Sequence, residues 1–209
     1  MYKRQTEGRS SRIQGGVITG VDIVGYPQRM SSILQARYPG QIVRVENAGR
    51  GGECASTACV PPPPGVPPSG VSRLPTRLTA AHDLVVLLEG VNDITAPRTT
   101  TQVVDALRTM IGTARNAGKS VLLSGLLPVK PRDDNGEYKG ATPSQIALYN
   151  GAIQQLAIAE AVPYIDMVSA LGPGFIAYLS PDGLHPNEAG YQRMAEIIGD
   201  AIVANFALP

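Results

Sequence analysis

The chain has no tryptophan and only two phenylalanines among its 209 residues, so its core must be aliphatic, helped by whatever its eight tyrosines bury. The same shortage leaves no obvious aromatic platform for stacking on a sugar. No apolar run reaches the ~18 residues of a membrane span, and the N-terminus lacks the basic-then-apolar layout of a signal peptide. An excess of one charge is missing too. The 18 basic and 17 acidic residues are interspersed and sum to +1, which removes the electrostatic footprint of a nucleic-acid binder. Cysteine is limited to Cys54 and Cys59, too few for a structural zinc site, so no metal is expected. That pair reads either as a short-loop disulfide in an exported protein or as two idle thiols in a cytoplasmic one.

Proline and alternating apolar runs, by contrast, are plentiful. Val60 to Pro68 holds six prolines, which rules out helix or central strand, and residues 60–69 are expected to form a stiff loop insertion. Such a loop could be a lid, a plain insertion or a ligand for a partner domain. From Gln41 onward, short apolar runs alternate with helical patterns. Strands are expected at Ile42 to Glu46, Asp83 to Leu88, Ser120 to Ser124 and Val162 to Ile165. Helices are expected at Tyr26 to Tyr38, Thr99 to Ala117, Thr142 to Glu160 and Asn187 to Phe206. This rhythm specifies an α/β fold, a three-layer α/β/α sandwich with a flavodoxin-like parallel sheet, in one domain over residues 6–209.

Ligands of open parallel sheets gather beyond the carboxyl ends of the strands. After the first expected strand comes Asn47-Ala48-Gly49-Arg50-Gly51-Gly52, and after the second Gly90-Val91-Asn92-Asp93. Glycines there can turn backbone N–H groups toward a ligand, and an Asn amide adds a side-chain donor, the ingredients of an oxyanion hole. Taken singly, each stretch reads equally well as a tight turn or helix start. The loop contains neither G-x-G-x-x-G nor the Walker lysine pattern. Before the last helix stands Ser180-Pro181-Asp182-Gly183-Leu184-His185-Pro186-Asn187. There Asp182 can accept the Nδ1 proton of His185 and leave Nε2 to act as a base. The same stretch also reads as a capped helix start, with Asn187 as cap and Glu188 in the first turn.

These blocks, in this order, resemble the SGNH hydrolases, also called GDSL-type esterases and lipases. Asn47 to Gly52 is similar to that family's second block, Gly90-Val91-Asn92-Asp93 to its G-x-N-D block, and Asp182 to Pro186 to its D-x-x-H-P block. The resemblance implies a cofactor-free hydrolase of ester or acetyl groups. His185 would be general base and Asp182 its orienting acid, with the Gly52 N–H and the Asn92 amide as oxyanion donors. The substrate would be a small-molecule or carbohydrate ester. Both deacetylation of sugars and hydrolysis of short esters or lysophospholipids stay open. So does the oligomeric state, while a secreted or periplasmic parent is favoured.

The family's nucleophile belongs to a Gly-Asp-Ser motif on the first, central strand, and the sequence contains no Gly-Asp-Ser. Aligned through Thr6-Glu7-Gly8, its place falls on Tyr2-Lys3-Arg4. A guanidinium has no attacking oxygen, so Arg4 cannot serve. Ser10 and Ser11 are the nearest substitutes. Residues 1–5 read like a translated library adaptor, and the expectation is a metagenomic gene fragment that lacks its first strand. The segment Gly16 to Val24 would then either slip into the vacant strand position or form the loop leading to Tyr26. The competing expectation is a non-catalytic carbohydrate-binding or scaffold protein on the same fold, and a third is a flavodoxin-like cofactor binder, which leaves Asp182 and His185 unexplained.

Overall fold

The computed structural model describes residues 10–14 and 17–22 as backbone, and residues 25–59, 61–62, 64–137 and 139–206 in full. In chain order the elements are β1 (Ser10–Gln14), β2 (Val17–Asp22), α1 (Tyr26–Arg37), α2 (Gly70–Arg77), β3 (Leu84–Leu87), α3 (Val91–Thr95), α4 (Thr100–Asn116), β4 (Ser120–Ser124), α5 (Pro143–Ala159), β5 (Tyr164–Ile165), α6 (Met167–Leu171), a 3-10 turn (Phe175–Tyr178) and α7 (Glu188–Asn205). They fall into two compact units, one of Met1–Gly51, Val129–Lys139 and Ser169–Pro209, the other of Gly52–Pro128 and Gly140–Val168.

The second unit holds the parallel sheet, ordered β3-β4-β5. Leu84 pairs with Ser120 at one end of the β3–β4 ladder, and Leu123 pairs with Tyr164 in the β4–β5 ladder. β4 is the buried middle strand, with Val121 to Ser124 all removed from solvent, as its unbroken apolar run Val121-Leu122-Leu123 requires. Each neighbour is reached by a crossover helix, α4 and then α5, the connection that parallel strands need. α4 buries Val103, Ala106, Leu107, Met110, Ile111 and Ala114, one stripe at helical spacing, against β4, α5 and α2. Full burial of Leu107 or Ile111 is worth roughly 1.5–3 kcal/mol each. Both helices start at capping boxes: Thr99 accepts from Gln102 N at 3.2 Å and Thr142 from Gln145 N at 3.2 Å. Beyond β4, the buried Asn150 acts as a backbone surrogate, accepting from Leu126 N at 2.6 Å and donating to Leu126 O at 2.9 Å.

In the first unit α1 packs along α7. Their approach is close because Gly199 lacks a side chain: a Cβ there would stand 3.4 Å from Ile33 Cγ2. Arg29 to Glu188 at 3.1 Å and Arg37 to Asp200 at 2.6 Å link the exposed edges of the pair. β1 pairs antiparallel with β2 in a separate two-stranded sheet. The segment around Val17 to Asp22 is thus neither a stand-in for a parallel strand nor a plain loop.

The strand expected at Ile42 to Glu46 is absent. Burial does alternate there, with Val43 and Val45 half-buried and Ile42 82% exposed. The Val43 N–H, however, is bonded locally to a side chain. Gln35, from the end of α1, donates to Gln41 O at 2.6 Å and accepts from Val43 N at 3.1 Å. Two further expected strands are shorter than forecast, since Asp83 and Leu88 lie outside β3 and Val162 and Pro163 outside β5. α2 was not foreseen, because its interior Pro75 and the prolines before it read as loop.

Candidate active site

The loop that carries Asp182 and His185 is fixed by its own backbone. Ser180 N donates to His185 O at 2.7 Å and Gly183 N to Ser180 O at 2.9 Å, which closes the turn. Gly183 has φ +69°, a conformation that favours glycine, and a Cβ there would stand 2.9 Å from Lys130 Cβ and 3.3 Å from Arg132 O. Lys130 N and Asp134 N, from the loop before α5, donate to Gly183 O at 2.8 Å and to Pro181 O at 2.9 Å. Asn187 closes the far side as the cap of α7, accepting from Gly190 N at 2.9 Å, with Glu188 in the first helical turn. The cap expected from the sequence is present, and Asp182 and His185 are hydrogen-bonded to each other.

Within this turn Asp182 spends both oxygens on His185. Oδ1 accepts from Leu184 N at 3.1 Å and His185 N at 3.0 Å, while Oδ2 lies 2.7 Å from His185 Nδ1. The imidazole is buried, the side chain being 8% exposed, and its Nε2 carries no hydrogen bond among the described residues. Burial alone would push the Asp182 carboxyl up. The hydrogen bond and charge of His185, with the His185 and Leu184 N–H groups, outweigh it and hold the carboxyl below its ordinary value.

Gly52 and Asn92 belong to the other unit, where Asn92 is bonded to the residue that follows Gly52. Gly52 is buried with φ +73° and opens a loop that ends at the Cys54–Cys59 disulfide, so the two cysteines are paired rather than idle thiols. Asn92, in the first turn of α3 beyond β3, donates through Nδ2 to Glu53 O at 2.7 Å. Its carboxamide has a second N–H, with no partner among the described residues. Glu53 is 1% exposed, and its carboxylate is gripped by Arg73 of α2 through Nε at 2.8 and 3.1 Å and through Nη2. Glu53, Ser56, Arg73 and Asp93 were not singled out from the sequence. Their partners lie up to 39 positions away, beyond any local pattern.

Ser10 and Ser11 lie in β1, and Arg4 with residues 1–5 lies outside the described residues. Among the described residues no group of three or more His, Cys, Asp or Glu is placed to hold a metal ion, and no helix is long and apolar enough to cross a membrane.

With this geometry in hand, comparison with known proteins gives a family. The model of the GDSL-like Lipase/Acylhydrolase family matches residues 10–193, and the chain belongs to that family of ester-hydrolysing enzymes. No curated protein gives a significant match. Among solved structures it is similar to an aryl esterase of M. smegmatis, at TM-score 0.74 and 18% identity over 97% of this chain and 95% of that one. It is also similar to Est24, a carbohydrate acetylesterase from Sinorhizobium meliloti, at TM-score 0.73 and 20% identity over 97% and 95% of the two chains. A lipase/acylhydrolase from Enterococcus faecalis matches at TM-score 0.72 and 23% identity over 97% and 93%. At such identities the likeness shows the shared fold, the α/β class with a parallel sheet expected from the sequence.

Proposed function

We propose that the chain carries the acid–base and oxyanion machinery of a Ser-His-Asp esterase for carboxylic acyl or acetyl esters. The observation that carries this reading is the buried His185, tethered through Nδ1 to Asp182 with Nε2 unbonded among the described residues. In the reaction, Nε2 takes the proton of a serine hydroxyl as its oxygen attacks the ester carbonyl carbon. The carbonyl oxygen becomes an oxyanion, met by the Gly52 N–H and the second N–H of Asn92. Collapse breaks the bond to the alcohol oxygen, which receives the proton from Nε2 and leaves an acyl-serine. Water then attacks by the same route, its proton passing through Nε2 to the serine oxygen and the acid departing. Asp182 stays ionised throughout, holding the tautomer and stabilising the imidazolium, in keeping with its lowered pKa. No cofactor takes part.

The nucleophile is the element this reading does not find in the chain. Arg4 stands at its aligned position, and Ser10 and Ser11 are the substitutes. The names of the structural neighbours, aryl esterase and carbohydrate acetylesterase, support aryl or sugar acetyl esters as substrates. The test is p-nitrophenyl acetate hydrolysis by the chain and by a version whose residues 1–5 are replaced with an apolar strand ending in Gly-Asp-Ser-Ile. Activity confined to the serine-bearing version supports the reading. A serine-bearing version that folds and stays inert favours the carbohydrate-binding or scaffold alternative, and activity in the unaltered chain points to Ser10 or Ser11.

A further inference from the structure

The residue after Asn92 is the most completely buried carboxylate in the described chain. Asp93 is 0% exposed and accepts from Ala55 N through Oδ2 at 2.7 Å, and from Ser56 N at 3.1 Å and Ser56 Oγ at 2.6 Å through Oδ1. An ionised carboxylate accepts only, so it suits three converging donors where an amide would set its own NH2 against one of them. Burial pushes this carboxyl up, and the Ser56 hydroxyl with the Ala55 and Ser56 N–H groups pulls against that shift.

The consequence lies in where the loop is held. Glu53 is fixed through its carbonyl by Asn92 and through its carboxylate by Arg73. Gly70 N donates to Cys54 O at 2.9 Å and Val71 N to Ala55 O at 3.0 Å, while Cys54 is also bonded to Cys59. The Ala55 and Ser56 N–H groups end on Asp93. Asn92 and Asp93 are consecutive on α3, so one short helix grips the Gly52 loop at two points, the carbonyl of Glu53 and the amides beyond it. We infer that Asp93 is a positioning residue, which fixes the loop carrying the Gly52 N–H relative to the Asn92 amide so that both donors meet one oxyanion. This rests on the proposed roles of Gly52 and Asn92, while the hold of Asp93 on the loop does not.

The test follows amide hydrogen exchange in the full-length chain for Asp93→Asn, Ser56→Ala and Ser56→Thr. Loss of acceptor or hydroxyl is expected to speed exchange at residues 53–56 about tenfold while Leu122 and Leu123 of β4 stay unchanged, with Ser56→Thr restoring protection. Unchanged loop exchange, or an equal rise in β4, overturns the inference. Ser56→Ala keeps the buried carboxylate and two of its donors, so it reports even where Asp93→Asn does not fold. On the serine-bearing version, Ser56→Ala is expected to lower kcat about tenfold with KM held. A drop in KM-dependent binding alone overturns the oxyanion role. If that version shows no His185-dependent hydrolysis, the esterase reading fails and the exchange result still decides whether Asp93 holds the loop.

Discussion

Asp182 binds His185 twice, taking its backbone N–H on one oxygen at 3.0 Å and facing its ring Nδ1 with the other at 2.7 Å. One side chain therefore shapes the turn and orients the imidazole. Separating those roles requires experiments that report on stability and on chemistry independently.

The acid side of the stability profile is the first. The folded Asp182 carboxyl titrates below its ordinary value, so its ionised form stabilises the fold above the unfolded value, and that contribution disappears as pH falls through the folded one. Urea denaturation of the wild type and Asp182→Asn should differ most above about pH 5 and converge toward about pH 2. A difference independent of pH would mean that the Asp182 carboxylate contributes no linkage.

Gly183→Ala tests the turn itself. The added Cβ must occupy a φ of +69° and sits 2.9 Å from Lys130 Cβ, so a loss of about 1–3 kcal/mol is expected in denaturant titrations. The Lys130 N to Gly183 O bond should weaken with it and be visible as faster exchange at Lys130. A neutral substitution would show that the loop has room to relax.

Joining Cys54 to Cys59, five positions apart, removes little chain entropy because the closed loop is short. Replacing both with serine should cost about 2 kcal/mol by that argument, and reduction of the wild type should match it. A much larger loss would show that the bond also resists strain in the Gly52 loop.

Helix boundaries were legible because their signals are local. Thr99, Thr142 and Asn187 each cap the helix that the apolar spacing announces. β4 was equally plain, an apolar run bounded by serines. Ile42 to Glu46 has the alternation of a strand, but a ladder needs a partner elsewhere in the chain, and Val43 N is bonded to Gln35 instead. The same distinction divides the site. Asp182 and His185 share one turn, so their contact could be read from their spacing. The carboxylate of Asp93 meets Ala55 and Ser56 across 38 and 37 positions, a relationship only the folded backbone reveals.

The central claim is that His185 is a general base in ester hydrolysis. It is tested most directly by adding His185→Ala to the version bearing Gly-Asp-Ser-Ile before Thr6 and measuring p-nitrophenyl acetate hydrolysis. The account predicts a fall in kcat on the order of 10²- to 10⁴-fold with the fold intact by circular dichroism. Hydrolysis undiminished by the loss of His185 would contradict it.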